Sequence, residues 1–240
     1  MKIKIVSNKF NEDVSWIENS KYEKEIIEKN INYGNEALSY LIFICKNYNK
    51  LPDKVAFIHG HEHSYHQQYH ILEAIEKYKD QDFISLNGEN CIAYNYLNKN
   101  HPWFPSGELN YGLFDFFWNE LMFDFGSCPK KLIFQPCAQF IVDKKLILSN
   151  SLDFYQQIHN FILDKKLGKI IAVFLEFVWH IIFTKKNIEN HIYNQNLDQW
   201  CIQNNINVYI KNGNSLENNF NEPMIYIHKN KDWISHVSHL

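Results

Sequence analysis

Five of the chain's twelve histidines fall between Phe57 and His70, in the stretch FIHGHEHSYHQQYH. Imidazoles this close can ligate a transition metal, move protons near neutral pH, or face an anion. His59, His61 and His63 alternate and would share one face of a continuing strand, whereas His66 and His70 stand four apart, as on one face of a helix. Zinc needs three or four converging ligands, and this segment offers them, with Glu62 and His61 as the candidate metal pair. Neither H-E-x-x-H nor a finger spacing is present, so the plainer alternative is one or two functional histidines with the others solvated.

A second pair, Glu176 and His180 in IIAVFLEFVWHIIF, is spaced for one face of an otherwise apolar helix. Desolvation there raises a carboxyl pKa, which suits Glu176 to general-base work, with a mutually satisfied buried pair as the bland alternative. Glu12 and Asp13 follow the first apolar run. Asp13 is placed to cap the helix that holds Trp16, while Glu12 projects from the strand end. Gly34 and Asn35 form a tight turn before a helix whose free N–H groups suit a phosphate.

Elements must hold these groups in place. KIKIVS (Lys2 to Ser7) predicts a buried strand, Val14 to Asn19 a short helix, and EKEIIEK a second strand. NYGNEALSYLIFICKNYNKLP predicts a helix with Asn35 as N-cap, and KVAFIH (Lys54 to His59) a third strand. Ser64 with Gln67 has the capping-box pattern and predicts a helix running into QYHILEAIEKY. FISL follows as a strand, HPWFPSGELNYG as a loop and LFDFFWNELMFDF as a helix. LIFQPCAQFIVDKK predicts one or two strands, and two helices come next, the second strongly apolar. NVYIK and MIYIH read as edge strands in an Asn-rich tail.

This β/α alternation predicts an α/β fold: a single Rossmann-like domain over 1–186, with a central, mostly parallel sheet flanked by helices. A C-terminal helical and edge-strand extension over 187–240 would pack on the same domain. Ligands in such sheets bind outside the carboxyl ends of the strands, here the loops Asn8 to Asp13 and Gly60 to His63.

Composition narrows the classes. With 45% hydrophobic and 16% aromatic residues the chain can offset its conformational entropy, which excludes a disordered protein. A formal net charge of -3, scattered lysines and no arginine argue against nucleic acid as a partner. Five widely spaced cysteines without C-x-x-C read as reduced thiols in a cytoplasmic protein. No apolar run is long enough for a signal peptide or a membrane span, which leaves only peripheral association with a membrane open.

Four segments in order, NEDVSWI, YGNEALSYLIFICKNYNKLPDKVAFIHGHEHSYH, PCAQFIVDKKLI and FLEFVWHIIF, resemble the successive motifs of the family called domain of unknown function thirty-four thirty-one. The resemblance runs from about Val6 to Phe183 and does not cover the tail. The layout is similar, more loosely, to GT-A type glycosyltransferases. That similarity implies that Asn11 and Glu12 face a nucleotide. It places His59, His61 and His63 at the nucleotide-sugar donor, in the loop where such enzymes carry D-x-D, and the turn at Asn35, with its helix N-terminus, joins them as a donor-binding candidate. Glu176, tuned by His180, takes the place of the late acidic base. HGHEH replaces D-x-D, so either Glu62 and a histidine hold a divalent metal, or histidines and lysines neutralise the diphosphate directly.

The expected function is transfer of a sugar from a nucleotide-sugar donor to a glycan acceptor, in synthesis of a surface polysaccharide or glycoconjugate. The alternatives are a metal-dependent hydrolase built on the His/Glu cluster at 59–66 and a non-catalytic carbohydrate-binding domain.

Overall fold

β-Branched residues alternate through the first strand, and the fold is built outward from it. The computed structural model describes residues 1–64, 67–88, 92–96, 102–103, 109–129, 131–134, 138–164, 168–185, 207–211 and 224–228. In order these form β1 (Ile3–Lys9), α1 (Ser15–Glu18), β2 (Glu23–Glu28), α2 (Asn35–Asn47), β3 (Lys54–Ile58), α3 (Ile71–Tyr78) and β4 (Phe83–Ser85). β5 (Ile92–Tyr96), β6 (Pro102–Trp103), β7 (Leu109–Asn110), α4 (Tyr111–Leu121), β8 (Lys131–Phe134) and β9 (Phe140–Asp143) follow. The remainder comprises α5 (Lys144–Ile147), α6 (Leu152–Asp164), α7 (Gly168–Thr184), β10 (Asn207–Lys211) and β11 (Met224–His228).

The central sheet has five strands in the order β2-β1-β3-β9-β4. β1 pairs in parallel with β2 and β3, and β9 alone runs against its two neighbours. The expected parallel neighbours Lys2 to Ser7 and Lys54 to His59 are thus adjacent strands, in a mixed α/β sheet. The period-2 alternation of each strand divides its side chains between two cores. Val6, Val55, Phe57, Phe140 and Val142 face α2, α4, α6 and α7, while Ile3, Ile5, Ala56, Ile58 and Ile141 face α1 and α3. β3 is buried along its whole length because both faces are covered. β2, at the edge, carries Glu23 and Glu25 paired with Lys4 and Lys46, charges that discourage pairing with another chain.

α7 is apolar nearly all round because it is enclosed. Trp179 stacks on Phe183, with centroids 5.7 Å apart and planes 8° from parallel, and both meet Phe140 of β9. Each fully buried aromatic of this layer contributes on the order of 1.5–3 kcal/mol, more than an exposed ion pair.

Three expectations are corrected. The helix predicted from Ser64 begins only at Ile71, with His70 as N-cap. Only half of the capping box forms: Gln67 Oε1 accepts the Ser64 N–H, but the Gln67 N–H donates to the Ser64 backbone carbonyl and not to its hydroxyl. The Gln68 N–H donates to Asn87 O, which draws the chain toward the end of β4 instead of into a helix. At α2 the N-cap is Gly34, not Asn35, and no side chain caps it. Both residues are left-handed, at φ 68° and 44°, and a Cβ on Gly34 would lie 2.8 Å from Leu38 Cβ, so glycine is required there. The tail strands also differ: β11 lies inside a second, antiparallel sheet of order β10-β11-β5-β8, and of the two only β10 is at its edge.

Candidate functional site

β1 leads through α1 to β2 on one side, and the chain then crosses back over β1 to lay down β3 on the other. Strand order therefore reverses between β1 and β3, where an open α/β sheet receives its ligand. The loops leaving these two strands are held together by specific contacts. Trp16 Nε1 donates to Gly60 O at 2.9 Å, and a Cβ on Gly60 would sit 2.6 Å from Asn8 O and 3.2 Å from Glu12 Cβ. Only glycine permits that approach.

Within the first loop, Glu12 Oε2 accepts the N–H groups of Phe10, at 2.6 Å, and Asn11, at 3.1 Å. Burial pushes its pKa up, but these amide donors and the neighbouring His61 outweigh burial and hold the carboxyl below its usual range. Asn11 is exposed in the same loop; the N-cap of α1 is Val14, not the expected Asp13, which sits one residue earlier and accepts from Ser15 N–H at 2.9 Å.

Within the second loop, the His59 N–H donates to Gln139 Oε1 at 3.0 Å, and His59 Nδ1 lies 3.4 Å from His61 Nε2. Half-buried His61 is pushed below the ordinary imidazole pKa by desolvation, and the Glu12 charge opposes that shift. Glu62 turns elsewhere, with Oε1 3.1 Å from His70 Nε2. His70 Nδ1 accepts the N–H of Leu72, which leaves the ring hydrogen on Nε2 to donate to Glu62. His63 is exposed, 3.9 Å from Glu62 Oε2.

A third group enters from α2 and α7. Lys29, just past β2, donates to the carbonyls of Tyr33 and Asn35; burial lowers its pKa, and Glu36 and Glu12 oppose that shift. Glu36, in the first turn of α2, is raised by burial, with its own N–H and Lys29 pulling the other way. One turn further, Tyr40 donates to Ala138 O at 3.1 Å. Its phenol is pushed up by burial first and then by the charges of Glu36 and Glu176. Glu176 is half-buried, while His180, one turn on, is buried at 4% exposure with its carbonyl accepting from Thr184.

The predicted residues thus fall into three sets. Glu12, Asn11, His59 and His61 come together at the switch point. Asn35 opens α2, and Glu176 lies on α7, which packs against α2. Glu62 and His63 face the start of α3, and His66 lies outside the described residues. The metal pair is divided, since His61 turns to His59 and Glu12 and Glu62 to His70. Among the described residues, no three His, Cys, Asp or Glu side chains converge on a point that could hold a metal.

Sequence reasoning passed over Lys29, Glu36, Asn87 and Gln139. Gln139 bridges the strand ends, accepting from His59 N–H and donating from Nε2 to Asn87 Oδ1 at 2.9 Å. Its one signal was a place inside the C-A-Q-F motif.

The site so built belongs to an α/β protein whose polar groups gather at the carboxyl ends of parallel strands. The family model described as protein of unknown function (DUF3431) matches residues 5–201, and the chain belongs to that family. The match reaches beyond Phe183, where the motif resemblance stopped. Neither the curated proteins nor the solved structures gave a match. Among the described residues, no helix is long and apolar enough to cross a membrane.

Proposed function

We propose that this protein is a cytoplasmic glycosyltransferase that moves a sugar from a nucleotide-sugar donor to a glycan acceptor in polysaccharide or glycoconjugate synthesis. The observation that carries the proposal is the meeting of Glu12 and His61 at the point where strand order reverses, with Glu176 entering from α7 beside α2. Glu12 is held rigid by two backbone amides and keeps further lone pairs for the hydroxyls of a ribose. Asn11 shares that loop. His59, His61 and His63, with the first turn of α2 at Asn35, take the diphosphate end of the donor.

Charge compensation falls to Lys29, whose charge is supported by Glu36 and Glu12, and to the N–H of a neutral His61. A divalent ion has no three-ligand set among the described residues, so no step is assigned to one, and the hydrolase alternative lacks its ligands there. Glu176 removes the proton of the acceptor hydroxyl as that oxygen attacks the anomeric carbon, and the bond to the diphosphate breaks with inversion. His180, one helical turn deeper, tunes Glu176. A positioned general base of this kind supplies roughly 10²–10⁴ in rate.

Transfer from a panel of nucleotide sugars to glycan acceptors, wild type against Glu176→Gln, tests the proposal. Loss of turnover by about a hundredfold or more, with donor affinity unchanged, is the expected result. Full turnover in Glu176→Gln, or no transfer by the wild type, contradicts it.

A further inference from the structure

Among the described residues, the buried polar atoms with no hydrogen-bond partner include Asn8 Oδ1 near the end of β1, Glu36 Oε1 in α2 and Trp179 Nε1 in α7. Buried polar groups in native proteins are nearly always satisfied, so each such atom calls for a donor or acceptor that the described residues do not supply. The three lie on one side of the sheet. Asn8 follows Val6 at the strand period, on the face against which α2 packs, and Glu36 lies in the first turn of α2. The ring of Tyr40, next along that helix face, lies 6.4 Å from Trp179. Both Glu36 and Glu176 act on the Tyr40 phenol, and Lys29 responds to both Glu36 and Glu12.

The chemistry of the set restricts its ligand. Two acceptors and one donor are offered on the side of the sheet where Tyr40 meets Trp179. An anion only accepts hydrogen bonds and would leave both acceptors unmatched, and a divalent cation lacks a third acidic or imidazole ligand among the described residues. A neutral polyol satisfies both signs, because each hydroxyl donates to one group and accepts from another. We propose that Glu36, with Asn8 and Trp179, forms a hydroxyl-recognising subsite that selects the sugar by hydrogen bonds to its ring hydroxyls. The inference rests on the glycosyltransferase reading and adds to it the residues that choose the sugar. Donor hexose and acceptor glycan share the same chemistry, and the experiment separates them.

Binding is measured by calorimetry for wild type, Glu36→Gln and Trp179→Phe, with three probes. These are free nucleoside diphosphates, nucleoside diphosphate hexoses with their monodeoxy forms, and acceptor oligosaccharides. Glu36→Gln is expected to bind the nucleoside diphosphate within twofold of wild type and the sugar-bearing ligand roughly tenfold to a hundredfold more weakly. One monodeoxy analogue that binds wild type at least tenfold more weakly than its parent should lose that handicap in the variant. Trp179→Phe removes the indole N–H, keeps an aromatic ring against Phe183, and should weaken the same ligand, which keeps the test open where Glu36→Gln folds poorly. Loss confined to the oligosaccharide assigns the subsite to the acceptor, and loss confined to the nucleotide sugar assigns it to the donor. Identical sugar and deoxy-sugar profiles in both variants and wild type overturn the subsite and leave the transferase reading intact. Sugar binding sensitive to Glu36 without nucleotide binding overturns the transferase reading and keeps the subsite. No binding of any sugar by the wild type overturns both.

Discussion

The indole Nε1 of Trp16 donates to the carbonyl oxygen of Gly60 at 2.9 Å, across 44 residues of sequence. This bond and the bare Cα of Gly60 hold the loop after β1 against the loop after β3. Gly60→Ala forces a Cβ to within 2.6 Å of Asn8 O, and the expected cost is about 1–3 kcal/mol with displacement of Glu12. Trp16→Phe removes the single bond and should cost about 1 kcal/mol. Denaturant unfolding of both variants checks the order.

Glu12 makes stability depend on acid. Its folded pKa is depressed below the ordinary value of about 4.3, so its contribution is complete above that value and is lost as pH falls through the depressed folded one. Wild type should therefore exceed Glu12→Gln in stability near neutrality, and the gap should close on acidification below about pH 4. A pH series of melting curves tests this, and a constant gap contradicts it.

His61 titrates below the ordinary imidazole value of about 6.5, because desolvation outweighs the Glu12 charge. Its folded form favours the neutral ring, so protonation costs stability as pH falls through the unfolded value toward the folded one. In Glu12→Gln the supporting charge is gone, and the His61 pKa should drop further. Ring-proton NMR titration of both proteins reads the two shifts; an unchanged or raised pKa in the variant would separate Glu12 from His61.

His70 caps α3 through Nδ1 and holds Glu62 through Nε2. His70→Ala should cost about 1 kcal/mol, and His70→Asn should recover the capping share of it, because asparagine is a strong N-cap. Equal stability of His70→Ala and wild type by chemical unfolding would show the cap to be idle.

Local pattern made much of the scaffold legible. The β-branched runs at Ile3 and Val55 and the apolar periodicity of α2 and α7 each report burial that a strand or helix must satisfy by itself. The start of α3 was not legible, because the Ser64–Gln67 pair forms only half of a capping box and the tertiary bond from Gln68 to Asn87 decides the chain's path. At the site, Glu12, His59 and His61 could be found because they follow strands directly. Gln139 could not, since its role depends on β9 lying beside β3 across 80 residues of sequence. Glu36 was hidden for a different reason: a glutamate in a first helical turn ordinarily serves the helix dipole.

Hydrogen exchange with and without a saturating nucleotide sugar tests the central claim most directly, because it reports where the ligand sits as well as whether it binds. Protection is predicted in the loops 8–13 and 59–63 and in the first turn of α2, together with a rise in melting temperature equivalent to about 2.7 kcal/mol at a hundredfold excess over Kd. Protection confined to other segments, or no protection by any nucleotide sugar, would contradict the account.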